Sequence, residues 1–305
     1  MTYSKMKPVE FFREVASEEK AREMIWRAKC GGKDFVCPKC QGEAFYQYEH
    51  NPEIRKCKTA SCGHQARLRV DTVFENSKTP LLVWVRAIFL TMQDKRGISA
   101  LQLKRQLGMK SYGTTWAMLH KIREALRQRD EHYKLKNVIE LDGASFGRRE
   151  TGTETEVLVV IESKDWVDEK GREKSKAGFA KVMVAPETKA KAQEFVDQAI
   201  QRDSMVNTDG SPSLRDVKNV DVEYQVVAND PKVLDHWLPW VHKFISNAKT
   251  WLVGTHHGVE PKYLARYLAE YTYRFNRRHD PDGLFHRALT ACAIATPMTA
   301  GALFG

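Results

Sequence analysis

Three groups of residues in this chain carry chemistry in their types and spacing. Cys37 and Cys40 form a CPKC knuckle and Cys57 and Cys62 a second one, with sixteen residues between the pairs. Thiolates so spaced suit one tetrahedral zinc ion, because each tight turn presents two sulfurs to the same point. Asp142 lies inside the apolar strand pattern VIELD, and Asp209 directly follows VNT. An ionised carboxylate in such a place is costly unless it is paired or binds metal. Two strands of one sheet can bring two of them together, and Mg2+ is typically held by one or two carboxylates plus waters and substrate phosphates. Two such ions sharing an aspartate serve phosphodiester chemistry. His242 and Lys249 stand two helical turns apart in HKFISNAK, on one side with Ile245 between them. If that side faces the sheet, His242 completes a metal site and Lys249 holds a phosphate.

Each group also has a plainer reading. The cysteines are then free structural thiols, with Cys30 and His64 spare potential ligands in the zinc case. Asp209 is a turn residue in TDGSP and Asp142 a strand-end acid. His242 and Lys249 are the solvated side of a helix.

The elements that must position these residues change character along the chain. Helical spacing (Phe11, Phe12, Val15, Ala16, Met24, Ile25) marks residues 6–29, and short β-type pieces broken by Cys, Gly and Pro follow from 30 to 75. LLVWVRAIFLTMQ predicts a largely buried helix, and ISALQLKRQLG with SYGTTWAMLHKIREALRQ predicts two more across a turn of three or four residues, with Ser99 as a cap and Gly108 as a stop. NVIELDGASF, EVLVVIES and AKVMVAP read as strands, ETKAKAQEFVDQAIQR as a helix, and MVNTDG and VEYQVVA as further strands; DEKGREKSKAG (168–178) reads as a polar hairpin tip. That order describes an α/β core with a mixed sheet.

Between residues 94 and 128 eight Lys or Arg face two acids, a local excess of +6. Leu103, Leu107, Trp116, Leu119 and Ile122 supply a core for the helix pair. A helix-turn-helix would place Lys110, Ser111, Tyr112, Thr114 and Thr115 nearest the bases, with Lys121 further along. A helical linker with a solvated basic face fits the same residues. Near the C-terminus Leu264, Tyr267, Leu268, Tyr271 and Phe275 form an apolar stripe, while Arg266, Arg274, Arg277 and Arg278 lie off it and are available to phosphate.

With 49 Lys and Arg against 39 Asp and Glu, the net charge of +10 favours polyanionic partners, nucleic acid first among them. The charged N-terminal stretch lacks the apolar core of a signal peptide, and no run of eighteen apolar residues suggests a membrane span. A cytoplasmic location without a membrane partner is expected, where clustered thiols hold metal rather than form disulfides.

Several separate stretches, in order, resemble one family: bacterial insertion-sequence transposases that join a zinc ribbon and a helical DNA-binding region to a ribonuclease H-like catalytic domain. They are CPKC with CKTASCGH, DTVFENSKTPL, KRGISALQLKRQLGMKSYGTTWAMLHKIREAL, VIELDGASFG, VNTDG and HKFISNAKTWLVGTHHGVEPKYLARYLAEYTYRFNRR, together covering roughly residues 30–278. The resemblance implies an α+β multidomain chain: an N-terminal helical segment (1–29), a zinc ribbon (30–76), a helix-turn-helix region (77–134), a ribonuclease H-like domain with a mixed sheet (135–290) and a tail (291–305).

It also implies cleavage at terminal inverted repeats and strand transfer into target DNA, with structural Zn2+, two catalytic Mg2+ or Mn2+ ions, double-stranded DNA as partner and homo-oligomers on that DNA. Asp142 and Asp209 match the two aspartates of the family, and Lys249 the lysine seven residues after a third position that is acidic in many members and Asn or His in some. His242 stands at that third position, so the implied site is of DDH type, with Asp142, Asp209 and His242 as metal ligands and Lys249 beside them. Gly143 is a second departure, since an acid frequently follows the first aspartate. The missing third acid speaks for a competing reading, a sequence-specific DNA-binding protein with a decayed or repurposed catalytic fold; a ribonuclease H-like nuclease that cuts without joining is a third.

Overall fold

The computed structural model describes residues 6–148, 150, 152–167, 170–171, 173–226 and 237–304. The chain divides into two compact units, one made of residues 1–129 with 279–305 and the other of residues 130–278. Among the described residues no helix is long and apolar enough to cross a membrane.

In the first unit, helices α1 (Pro8–Glu14) and α2 (Glu18–Lys29) precede a three-stranded antiparallel sheet in the order β1 (Phe45–Gln47), β2 (Ile54–Cys57), β3 (Gln65–Arg67). Arg55 of β2 is buried yet satisfied: its guanidinium donates to Glu23 of α2 at 2.7 and 2.8 Å and lies over the rings of Trp26 and Phe45. A buried cation survives only with such partners. Helices α3 (Leu81–Gln93), α4 (Ala100–Gln106) and α5 (Tyr112–Asp130) follow. Ser99 caps α4 by accepting the Gln102 N–H, Gly108 adopts the left-handed backbone after it, and five residues rather than three or four separate α4 from α5.

Residues from 279 onward return to this first unit. There Phe11 of α1 stacks on Phe89 of α3 with centroids 3.8 Å apart, and Phe285 meets Phe11 edge-on at 5.1 Å. The helix that follows Gly283 therefore closes the N-terminal core, whereas the sequence placed residues up to 290 in the catalytic domain.

The second unit holds a five-stranded mixed sheet in the order β6-β5-β4-β7-β8. Strands β4 (Val138–Phe146), β5 (Thr155–Val167) and β6 (Glu173–Val184) meander antiparallel; β7 (Met205–Thr208) runs parallel to β4, and β8 (Asp221–Tyr224) parallel to β7. Alternation along β4 sends Ile139 and Leu141 to the face covered by α6 (Lys189–Ala199), and Phe146 to the face covered by α7 (Pro239–His256) and α8 (Pro261–Asn276). β6 begins at Glu173 and so incorporates most of the supposed hairpin tip; Asp168, Glu169 and Arg172 lie outside the described residues, as does the end of the strand reading VEYQVVA. Pairs such as Lys164–Lys176 extend this ribbon without an apolar pattern to announce it. At its edge, Asn276 closes β6: its amide accepts the Ala180 N–H at 2.7 Å and donates to the Ala180 carbonyl at 2.9 Å.

Candidate active site and metal centre

Asp142 and His242 meet because β4 and α7 are joined along their length. Glu140 is buried, and its Oε2 accepts the N–H groups of Trp240 and Val241, both at 2.8 Å. Those are among the N–H groups that a helix leaves unpaired in its first turn, where a carboxylate also faces the positive end of the helix dipole. Burial nevertheless pushes the Glu140 carboxyl up to about 7, against the pull of the Val241 and Trp240 N–H groups toward the anion. Two residues further along both elements, His242 Nε2 stands 3.2 Å from Asp142 Oδ2. Further on, the Lys249 ammonium lies 5.5 Å from the centre of the Phe146 ring. Ile245 is packed between His242 and Lys249 in the core against the sheet, so that side of the helix does face β4.

Asp209 reaches the same level through the sheet. The parallel register pairs Ile139 with Val206 and Glu140 with Asn207, and Asp209 follows directly after the end of β7 at Thr208, on the strand next to the one that carries Asp142. Each aspartate engages its Oδ1 with backbone at 2.9 Å, Asp142 with Gly143 N and Asp209 with Ser211 N. Trp237 tacks the segment before α7 to this strand end by donating its indole N–H to the Thr208 carbonyl at 2.7 Å.

The donor set fits a divalent ion. Adjacent ligands at ~2.1 Å from an octahedral ion stand ~3 Å apart, close to the separation of Asp142 Oδ2 and His242 Nε2. Asp209 is not drawn into a closed cage with them: among the described residues, the four cysteines alone form a converging group of three or more His, Cys, Asp or Glu side chains.

That cysteine group could hold a metal ion. The sulfur atoms of Cys37, Cys40, Cys57 and Cys62 all lie within 4.8 Å of one another, with Cys37–Cys62 at 3.7 Å and Cys40–Cys57 at 3.5 Å. Sulfurs at ~2.3 Å from a tetrahedral zinc stand ~3.8 Å apart. Within the group the thiols shift in opposite directions: the Gly42 N–H, with the Thr59 hydroxyl, pulls Cys40 down to about 6, while Cys62, against the pull of the His64 N–H, is pushed up to about 11 by burial and the neighbouring Cys40 and Cys37. Cys30 stays outside the group, its sulfur accepting the Val36 N–H. Gly63 takes left-handed backbone after the second knuckle, and at the first knuckle Gln41 does so. Gly42 is needed for space: a β-carbon there would come within 2.6 Å of Thr59 Oγ1.

The residues expected to meet DNA divide. Lys110, Ser111, Tyr112 and Thr114 are exposed at the turn and first residues of α5, and Lys121 is half-buried. Thr115 is fully buried, its hydroxyl donating to the Ser111 carbonyl, because it begins the inner face of α5. Arg274 is buried in an ion pair with Glu270, one turn earlier on α8. Arg277 donates to Asp130 at 2.6 Å and covers the Tyr273 ring, and Arg278 donates to the carbonyls of Ala177, Gly178 and Phe275. All three arginines are engaged by partners within their own unit.

Sequence reasoning passed over Glu140, although an acid two residues before Asp142 in an apolar strand shares its face and was visible in VIELD. Trp237 and Trp240 carried no such signal.

Residues 130–276 match the family model for the ISXO2-like transposase domain. No curated protein and no solved structure matches the chain. The matched segment carries Asp142, Asp209, His242 and Lys249, so the site lies within the part of the chain that is similar to the ISXO2-like transposase domain.

Proposed function

We propose that the chain is a DNA transposase that binds terminal inverted repeats, cleaves DNA at them and joins the freed 3′-hydroxyl ends to target DNA. The observation that carries this reading is the juxtaposition of His242 and Asp142 at 3.2 Å within a transposase-family domain. An antiparallel meander followed by parallel strands, with Asp142 on β4 and Asp209 directly after the neighbouring β7, supports a ribonuclease H-like catalytic fold.

Asp142, Asp209 and His242 would hold two Mg2+ or Mn2+ ions, which when bound supply an activated nucleophile and charge stabilisation on the leaving oxygen. The protein's part is positional. Gly143 N and Ser211 N orient the two carboxylates through Oδ1. Glu140 fixes the start of α7, which holds the His242 backbone opposite Asp142. A ligating Nε2 must carry its lone pair, which places the imidazole proton on Nδ1. Lys249, exposed on the same side of α7, offers a cation to a DNA phosphate.

The cysteine module serves as a zinc ribbon and α4 with α5 as a helix-turn-helix, whose exposed Lys110, Ser111, Tyr112 and Thr114 face double-stranded DNA. Holding two element ends together calls for a homo-oligomer, and the activity belongs with DNA in the cytoplasm.

The test is cleavage and joining of a labelled duplex bearing the inverted repeats that flank the gene, in Mg2+ and in Mn2+. Nicking and joining by the wild type, both lost in Asp209→Asn, support the transposase. Binding without nicks would support a repurposed DNA-binding protein, the reading favoured by the imidazole that stands where an acid is usual. Cuts without joining would indicate a nuclease.

A further inference from the structure

The connection between β6 and α6 delivers a third carboxylate to the end of β4. Glu187 stands there, just before the helix cap Thr188, with its own N–H held by Glu156 at 2.6 Å. Its Oε1 accepts the hydroxyls of Ser211 at 2.6 Å and Ser213 at 2.5 Å, and the two hydroxyls lie 2.8 Å from each other. Ser211 is also the residue whose N–H holds Asp209 Oδ1. The carboxylate rests against Gly143, the neighbour of Asp142: a β-carbon at position 143 would overlap its Oε2. Alternation along β4 puts that contact on the α6 side of the sheet, opposite the Asp142 carboxylate. One side chain therefore touches the backbone beside the first aspartate and ties down the loop that carries the second.

We infer that Glu187 is a positioning residue for the metal site: it clamps the Ser211–Ser213 turn against Gly143 and so sets Asp209 beside Asp142. A side chain at position 143 would push the Glu187 carboxylate out of its place. Glu187 acts through Ser211 and Ser213, from beneath the strands, and does not contact the reacting atoms. The inference rests on the assignment of Asp142 and Asp209 as ligands of the catalytic ions, and it concerns how firmly those ligands are held.

The experiment measures Mn2+ binding by EPR titration on the zinc-loaded full-length protein without DNA, with melting curves to show that each variant is folded. Partners that orient ligands are worth ~10–100-fold in metal affinity. Glu187→Ala is expected to weaken Mn2+ binding about tenfold, and Ser211→Ala with Ser213→Ala to do the same. Glu187→Gln, whose amide oxygen still accepts both hydroxyls, is expected to stay within about threefold of wild type, since the positioning needs an acceptor and not a charge. Gly143→Ala is expected to match Glu187→Ala, and the two together to be no worse than either alone, as residues of one contact behave. A folded Glu187→Ala that binds Mn2+ like wild type, while Asp142→Asn loses it, would overturn the clamp and leave the ligand assignment standing. Equal loss in Glu187→Gln and Glu187→Ala would also overturn it, because the charge and not the clamp would then matter. If Asp142→Asn itself leaves Mn2+ binding intact, the site assignment falls and takes the clamp with it.

Discussion

His242 Nε2 on α7 stands 3.2 Å from Asp142 Oδ2 on β4, a hundred residues away in sequence. Nothing local produces that contact. It follows from Glu140, which takes the first-turn N–H groups of α7 onto the strand two residues before Asp142 and leaves His242 in register with it.

If Asp142 and His242 share an ion, replacing either should cost more than losing an outer-shell partner. Cleavage by Asp142→Asn and by His242→Ala is expected to fall at least about 100-fold, with repeat-DNA binding in gel shifts unchanged. A His242→Ala enzyme that cleaves at the wild-type rate would remove the imidazole from the site.

Glu140→Ala leaves two N–H groups of α7 without their acceptor in a buried place. A destabilisation of roughly 2–3 kcal/mol in denaturant unfolding is expected, with Glu140→Gln milder because its amide oxygen still accepts. If Glu140→Ala is as stable as wild type, the helix is not anchored here.

Glu140 also gives a pH dependence. Its folded carboxyl titrates near 7 whereas an unfolded glutamate titrates near 4.5, so between those values the unfolded chain has released a proton that the folded one still holds. The stability contributed by this group is therefore present in full below pH 4.5 and lost as pH rises through 7, by roughly 3 kcal/mol across the window. Wild type minus Glu140→Gln, measured from pH 4.5 to 8, should show that fall; a flat difference would contradict it.

The cysteine group should bind one zinc per chain. Chelation, or Cys37→Ser, is expected to release the metal and unfold β1–β3, seen as loss of amide-exchange protection over residues 37–67. Retained protection in the metal-free protein would show that the sheet folds without it.

DNA binding should separate the two basic regions. Lys110→Ala is expected to weaken repeat-DNA binding and lower the salt slope by about 1. Arg274→Ala breaks a buried ion pair and should cost about 3–5 kcal/mol of stability, with no change in the salt slope of the folded fraction. A lowered salt slope in Arg274→Ala would return that arginine to the DNA surface.

Residues that announce themselves through local pattern were legible in the sequence. The four cysteines converge as their spacing predicts, and Asp142 sits on the strand that VIELD describes. The ion pair of Arg274 is hard to see in the sequence because a cation off an apolar stripe looks solvent-facing; Glu270, four residues before it, is the visible hint of that pair inside the helix packing. Glu187 could not be found in this way. Between Pro186 and Thr188 it reads as an acid before a helix, and only the approach of the β6–α6 connection to Gly143 gives it a role. The return of residues from 279 onward to the N-terminal unit was equally silent, since the apolar pattern of LFHRALTACAI does not say which core it will meet.

The most direct test of the account is whether His242 ligates the catalytic ion. Pulsed EPR on the Mn2+-loaded protein detects nitrogen bound to the metal. The account predicts an imidazole nitrogen coupling in wild type that disappears in His242→Ala while Mn2+ remains bound through the aspartates. Mn2+ bound with no nitrogen coupling in wild type, or with a coupling that survives in His242→Ala, would contradict it.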